Sequence, residues 1–163
     1  MQEQDPNAPA PPAPPAAVRP VTVQIAGLAR GNPGLAGAGI VILAPDGTPQ
    51  TRVARYLGNV AALDAQLQAL ELGLRYARPH IPSPLRLVLG NETIVRQLAG
   101  QQPARHPSVL RMTETLYGLL DAFGPSTFVL GKAGEMEEAE RLANLGIDMR
   151  LRPFPAYDRP LPT

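Results

Sequence analysis

Acidic side chains are where this chain could grip a metal or move a proton, and they crowd together at Glu135, Glu137, Glu138 and Glu140. That cluster opens a helical stretch, where negative charge complements the positive end of the helix dipole. We adopt that reading over a metal site. Glu137 and Arg141 also stand at the i,i+4 spacing of a favourable pair. The histidines offer less. His80 lies in a Pro-rich loop and His106 directly precedes Pro107, neither with an acid and a hydroxyl in its sequence context, so neither is assigned a catalytic role. There is no cysteine, which excludes disulfide scaffolds, thiolate zinc sites and a cysteine nucleophile. Every basic residue except Lys132 is arginine. Arg30, Arg96, Arg105 and Arg111 could line a phosphate track, since guanidinium grips phosphate in bidentate fashion; the alternative is ordinary solvated charge. With 15 Lys+Arg against 14 Asp+Glu the net charge is +1, too small to draw in a polyanion from a distance. Three Phe and four Tyr give no evident platform for stacking bases.

The elements that must position these residues follow from hydrophobic periodicity. The 163 residues, 44% of them hydrophobic, suit one domain with a packed core. Seven prolines precede Val21, and such a segment favours polyproline II and buries no core. Residues 1–20 are therefore expected to form a Pro/Ala-rich flexible tail. Residues 149–163 are also Pro-rich and carry Phe154 and Tyr157; they form a second tail, expected to pack on the domain or on a partner. Residues 21–148 form the domain. Within it, 21–25 alternates as a strand, Gly31-Asn32-Pro33-Gly34 is a turn, and 36–44 is a strand whose small residues suit close approach. Pro45-Asp46-Gly47 is a hairpin signal before a returning strand over 51–57. The period then becomes helical, predicting a helix over 59–77 that Pro79, Pro82 and Pro84 end. A buried strand at 85–89, a helix after Gly90-Asn91, a helix from Pro107 through Phe123, a strand at 127–130 and a helix over 135–145 complete the order. The result is an α/β fold: a five-stranded mixed sheet, three strands antiparallel and then two parallel, with helices on both faces. The first residues lack the basic flank and apolar stretch of a signal peptide. No apolar run approaches the roughly 20 residues of a membrane span. A cytoplasmic protein with no membrane partner is expected.

This order resembles that of the ribonuclease H family, and four local words agree. The family's D-G-A-S-R-G-N-P-G is similar to Ala26-Gly27-Leu28-Ala29-Arg30-Gly31-Asn32-Pro33-Gly34. Its N-x-A-E-x-x-A matches Asn59-Val60-Ala61-Ala62-Leu63-Asp64-Ala65. Its D-S-E-L-V-V-R-Q-L matches Gly90-Asn91-Glu92-Thr93-Ile94-Val95-Arg96-Gln97-Leu98, and its A-D-R-L-A-N matches Ala139-Glu140-Arg141-Leu142-Ala143-Asn144. The likeness spans about residues 21–146 and is greatest to the compact type 1 bacterial and archaeal members.

The resemblance implies cleavage of the RNA strand of an RNA–DNA hybrid by two Mg²⁺ or Mn²⁺ ions about 3.5–4 Å apart, held by four carboxylates. Those four positions are here Ala26, Ala62, Gly90 and Glu140. Three lack any ligand atom, and a cation that demands near-octahedral oxygen ligation is not held by one Glu. Asp64 lies two residues from Ala62, about 200° around a helix, and faces away; Glu92 brings the total to two carboxylates. Lys132 stands where the family has a loop histidine. No catalytic residue, metal or cofactor is therefore expected, and the chain reads as a pseudoenzyme. What the resemblance leaves for nucleic acid is Arg30, Asn32, Asn59, Asn91 and Arg96. In the family, residues like Asn32 and Asn59 read 2′-hydroxyls and bases through the minor groove, which needs no metal; equally, Asn32 suits a tight turn and Asn59 an N-cap. The expected function is non-catalytic binding of RNA/DNA hybrid or structured RNA. Alternatives are a protein-interaction or homodimerisation module, or residual metal-dependent ribonuclease H activity through Glu92 and Glu140.

Overall fold

Alternation of β-branched and small residues early in the chain becomes three long antiparallel strands in the computed structural model, which describes residues 19–151. These are β1 (Val21–Gly31), β2 (Gly34–Leu43) and β3 (Pro49–Val60). Helix α1 (Ala62–Tyr76) leads to β4 (Leu85–Leu89), which lies parallel to β1 from Val21↔Leu85 to Ile25↔Leu89. Helices α2 (Glu92–Leu98) and α3 (Pro107–Leu120) then lead to β5 (Thr127–Leu130), parallel to β4, and α4 (Glu137–Met149) closes the domain. The sheet order is β3-β2-β1-β4-β5, the mixed five-stranded sheet expected. The expected tails lie outside the described residues, except for Arg19, Pro20 and residues 149–151.

Period-two patterning sends alternate side chains to opposite faces, and each face has its own core. Val21, Val23 and Ile25 of β1 and Ala38, Ile40 and Ile42 of β2 join Leu70 and Leu74 of α1, Ile94 and Leu98 of α2 and Leu116 of α3. Ala26 of β1, Val41 of β2 and Val88 of β4 face Ala139, Leu142 and Ala143 of α4. The small residues of β2 serve the second contact. A Cβ built on Gly39 would stand 1.8 Å from the Ala139 carbonyl oxygen, so only glycine lets α4 lie this close to the sheet.

Several element ends differ from expectation, each for a tertiary reason. Residues 59 and 60 belong to β3, because the β2–β3 ladder continues to Leu35↔Asn59 and Gly34↔Val60. Helix α1 thus starts at Ala62, with N-cap Ala61 and no cap from its own side chain. The expected N-cap role of Asn59 is corrected accordingly: it is an exposed strand residue. Helix α4 starts at Glu137, since Glu135 is held in the preceding loop by Arg86 of β4 and by the backbone N–H of Lys132. Helix α3 stops at Leu120, and Phe123 is buried in the loop beyond it.

Candidate functional site

The C-terminal end of β4 lies beside Ile25, midway along β1, at the centre of the sheet, and ligand crevices of open α/β sheets form beyond such strand ends. A cleft of about 370 Å³ opens there. Its floor is Ile25–Leu28 of β1 with Leu89 and Gly90 at the end of β4. Asn91, Glu92 and Thr93 at the start of α2 form one wall, Met136 and Glu140 the opposite one, and Gln66 of α1 projects between them.

Of the four positions expected to carry metal ligands, Ala26, Gly90 and Glu140 line this cleft and Ala62 does not. The backbone N–H of Ala62 donates instead to Asn32 Oδ1 at 3.1 Å. Helix α1 reaches the cleft through Gln66, one turn on and on the same helix face as Ala62. Gln66 lies outside the family's words in the sequence, although the i+4 spacing from Ala62 marks it. Asp64 is not part of the lining.

Two carboxylates, Glu92 and Glu140, therefore border the cleft. Glu92 is bound to Arg96 at 2.6 Å on the exposed surface of α2. Among the described residues no group of three or more His, Cys, Asp or Glu could hold a metal ion. A methyl group, a bare backbone position, one ion-paired Glu and one free Glu do not supply the oxygens that a pair of hard divalent cations requires. The donor set does not fit a two-metal centre.

The other expected site residues are used by the fold. Arg30 leaves the end of β1 and grips α4, donating to Asn144 Oδ1 at 3.1 Å and pairing with Asp148 at 2.8 Å. Asn32 satisfies the open N-terminus of α1 from across the β1–β2 turn. Asn91 caps α2, its Oδ1 accepting from the Ile94 N–H at 3.1 Å. None of Arg30, Arg96, Arg105 and Arg111 lines the cleft, and Asn59 stands exposed on β3. The acidic run divides in the same way. Arg86 lies 2.7 Å from Glu135; with the Lys132 N–H it holds that carboxyl below its ordinary pKa. Arg141 binds Glu138 at 2.7 Å and, with a smaller contribution from Arg52, lowers it likewise. Arg141 thus pairs at i,i+3 with Glu138, not with Glu137 as its spacing suggested. His106 Nδ1 caps α3 by accepting from the Ser108 N–H. Burial holds His80 below the usual imidazole pKa, and neither histidine lines the cleft.

A family model described as reverse transcriptase-like matches residues 24–146. The chain belongs to that family. Its fold is that of the type 1 ribonucleases H. RNase H1 from the halophilic archaeon Halobacterium salinarum NRC-1 superposes with a TM-score of 0.74 at 26% identity, over 79% of this chain and 98% of that one. The N-terminal RNase H domain of Rv2228c from Mycobacterium tuberculosis, solved as a fusion with maltose binding protein, gives 0.73 at 26% identity, over 78% and 98%. LC11-RNase H1, solved in complex with RNA/DNA hybrid, shares the fold with a TM-score of 0.75 at 24% identity, over 80% and 98%. The bifunctional protein Rv2228c of M. tuberculosis is 27% identical over 140 residues, 78% of this chain and 35% of that protein. The chain thus spans about a third of the length of the curated relatives it matches. Among the described residues no helix is long and apolar enough to cross a membrane.

Proposed function

We propose that this chain is a non-catalytic ribonuclease H-like protein that binds nucleic acid, RNA/DNA hybrid or structured RNA, without metal. The observation that carries the reading is the cleft floor. Ala26 and Gly90 line that floor at positions which the sequence words match to the family's metal carboxylates, and Glu92, the acid beside them, is ion-paired with Arg96. A metal-free carboxylate cluster repels a phosphate by about 4 kcal/mol per charge pair at 4 Å and an effective dielectric of 20. Removing two such charges lets a phosphate backbone approach with no cation between. The same change removes the means of placing two metals, so the scissile step has no activated water. LC11-RNase H1 illustrates how this fold receives a hybrid. We assign the meeting with a 2′-hydroxyl to Asn59, whose side chain is exposed on β3 and has no hydrogen bond among the described residues.

The test is a titration of a labelled RNA/DNA hybrid, duplex DNA and duplex RNA in EDTA and in millimolar Mg²⁺, at two salt concentrations. Expected are hybrid binding of equal strength with and without Mg²⁺, weakening as salt rises, and intact RNA throughout. Affinity weaker than about millimolar for all three ligands would end the proposal. So would hybrid cleavage that Glu140→Ala abolishes.

A further inference from the structure

Helix α3 packs Val109 and Leu116 inward and presents a very different outer face. Leu110 and Tyr117, seven residues apart, are 51% and 49% exposed. At that spacing they lie on one stripe, about 10 Å apart along the axis. The Tyr117 ring is fixed in place by its hydroxyl, which donates to the Leu98 carbonyl at 3.1 Å. Asp121 and Glu114 lie within about 40° of the same stripe and Arg111 about 100° round from Leu110 on the outer face, with Arg105 just before the helix, all exposed. Among the described residues, none of these four side chains has an ion-pair or hydrogen-bond partner.

Two features of this face have no explanation within one molecule. The end charges run against the helix dipole: no acid lies in the first turn and no base in the last, whereas Arg105 just precedes the N-terminus and Asp121 caps the C-terminus. The dipole favours the reverse. Gly118, inside the helix, has nothing within 4 Å of where a Cβ would be. It lowers helix propensity and admits no close neighbour in its own chain.

We propose that α3 is a homodimer interface, packing antiparallel against α3 of a second copy about a two-fold axis near Thr113. An isologous interface must be complementary to itself, and this register is. Each Leu110 meets Tyr117 of the second copy, Arg111 meets Glu114, and Arg105 meets Asp121. Gly118 lies on the same outer face, about 80° round from Leu110, and its missing side chain leaves room there for the second copy. The reversed charge order is the one an antiparallel copy requires. One helix pair buries less than the roughly 800 Å² per partner of a standard interface, which makes this a weak dimer, sought at protein concentrations from about 1 µM to about 1 mM. No residue of α3 lines the cleft, so this assignment and the nucleic-acid reading stand or fall separately.

The test is sedimentation equilibrium of the full chain across that concentration range. Expected is a concentration-dependent dimer. Arg111→Glu weakens it at least tenfold, and the double swap of Arg111→Glu with Glu114→Arg restores it to within about threefold, because each charge then meets its swapped mate. Gly118→Ala weakens it severalfold while leaving the monomer's melting temperature no lower. A chain that stays monomeric throughout, a dimer indifferent to Arg111→Glu and Leu110→Ser, or a double swap that fails to restore association would each overturn the assignment.

Discussion

The cleft beside the end of β4 and the outer face of α3 treat polar side chains differently. In the cleft lining Asn91 caps α2 and Glu92 pairs with Arg96, and beyond it Arg30 reaches α4, Asn32 caps α1 and Arg86 binds Glu135, whereas Gln66 and Glu140 of the lining keep no such tie. On and beside α3, Arg105, Arg111, Glu114 and Asp121 face outward without such ties, next to the exposed Leu110 and the Tyr117 ring. Among the described residues, a group of unpaired charges thus gathers at a helix that the ribonuclease H words of the sequence do not single out.

The largest expected effect comes from putting the ligands back. The quadruple variant Ala26→Asp, Ala62→Glu, Gly90→Asp and Glu140→Asp restores the family's carboxylate set in a backbone of the same fold. Hybrid cleavage should go from absent to Mg²⁺-dependent, and the melting temperature should rise on adding millimolar Mg²⁺, whereas that of the natural chain stays fixed. Without metal the variant should melt lower than the natural chain, because the restored carboxylates repel one another. A quadruple variant that binds no Mg²⁺ would show that the cleft departs from the family in more than its ligand residues, and would weaken the comparison drawn above.

The strut role of the acidic run is testable through pH. Arg86 binds Glu135 in the fold, and chiefly for that reason its carboxyl titrates below the ordinary glutamate value of 4.5. A carboxyl depressed in this way stabilises the folded state fully above its unfolded pKa and loses that contribution as pH falls through the folded one. Glu135→Gln should therefore cost about 1–2 kcal/mol at pH 7. The gap to the natural chain should narrow as the pH drops below 4.5, as measured by urea denaturation at each pH. A gap that widened in acid would show that the carboxylate is not what holds the β5–α4 loop to β4.

What could be read from the sequence were local patterns: alternating strands, the 3.6-residue periodicity of α1 and α3, and the proline breaks between them. The partnership of Arg30 with Asp148 could not be read, because it joins residues at opposite ends of the domain. The start of α1 was placed early because Asn59 has the residue type of an N-cap, while its true state is set by a β2–β3 ladder that runs two residues further. Gln66 was passed over because it replaces nothing in the family's words; only the close seating of α1 on β1 brings it into the cleft. A Cβ on Gly27 would lie 2.4 Å from the Ala65 carbonyl, which shows how near the helix comes there.

The finest distinction is between the two asparagines that the sequence pairs as candidates. Asn32 donates no contact to the cleft; its Oδ1 accepts the Ala62 N–H and closes the end of α1, which has no cap of its own. Asn32→Ala should therefore cost about 1 kcal/mol of stability and alter hybrid affinity only as far as the turn relaxes. Asn59 is exposed on β3, so Asn59→Ala should leave stability within about 0.5 kcal/mol and lower hybrid affinity severalfold, with a smaller loss for duplex DNA, which lacks the 2′-hydroxyl. Chemical denaturation and hybrid titration on the same two variants separate the roles. If the affinity loss followed Asn32 and the stability loss Asn59, the division between internal strut and outward-facing ligand group would have to be redrawn on the β1–β2 side of the cleft.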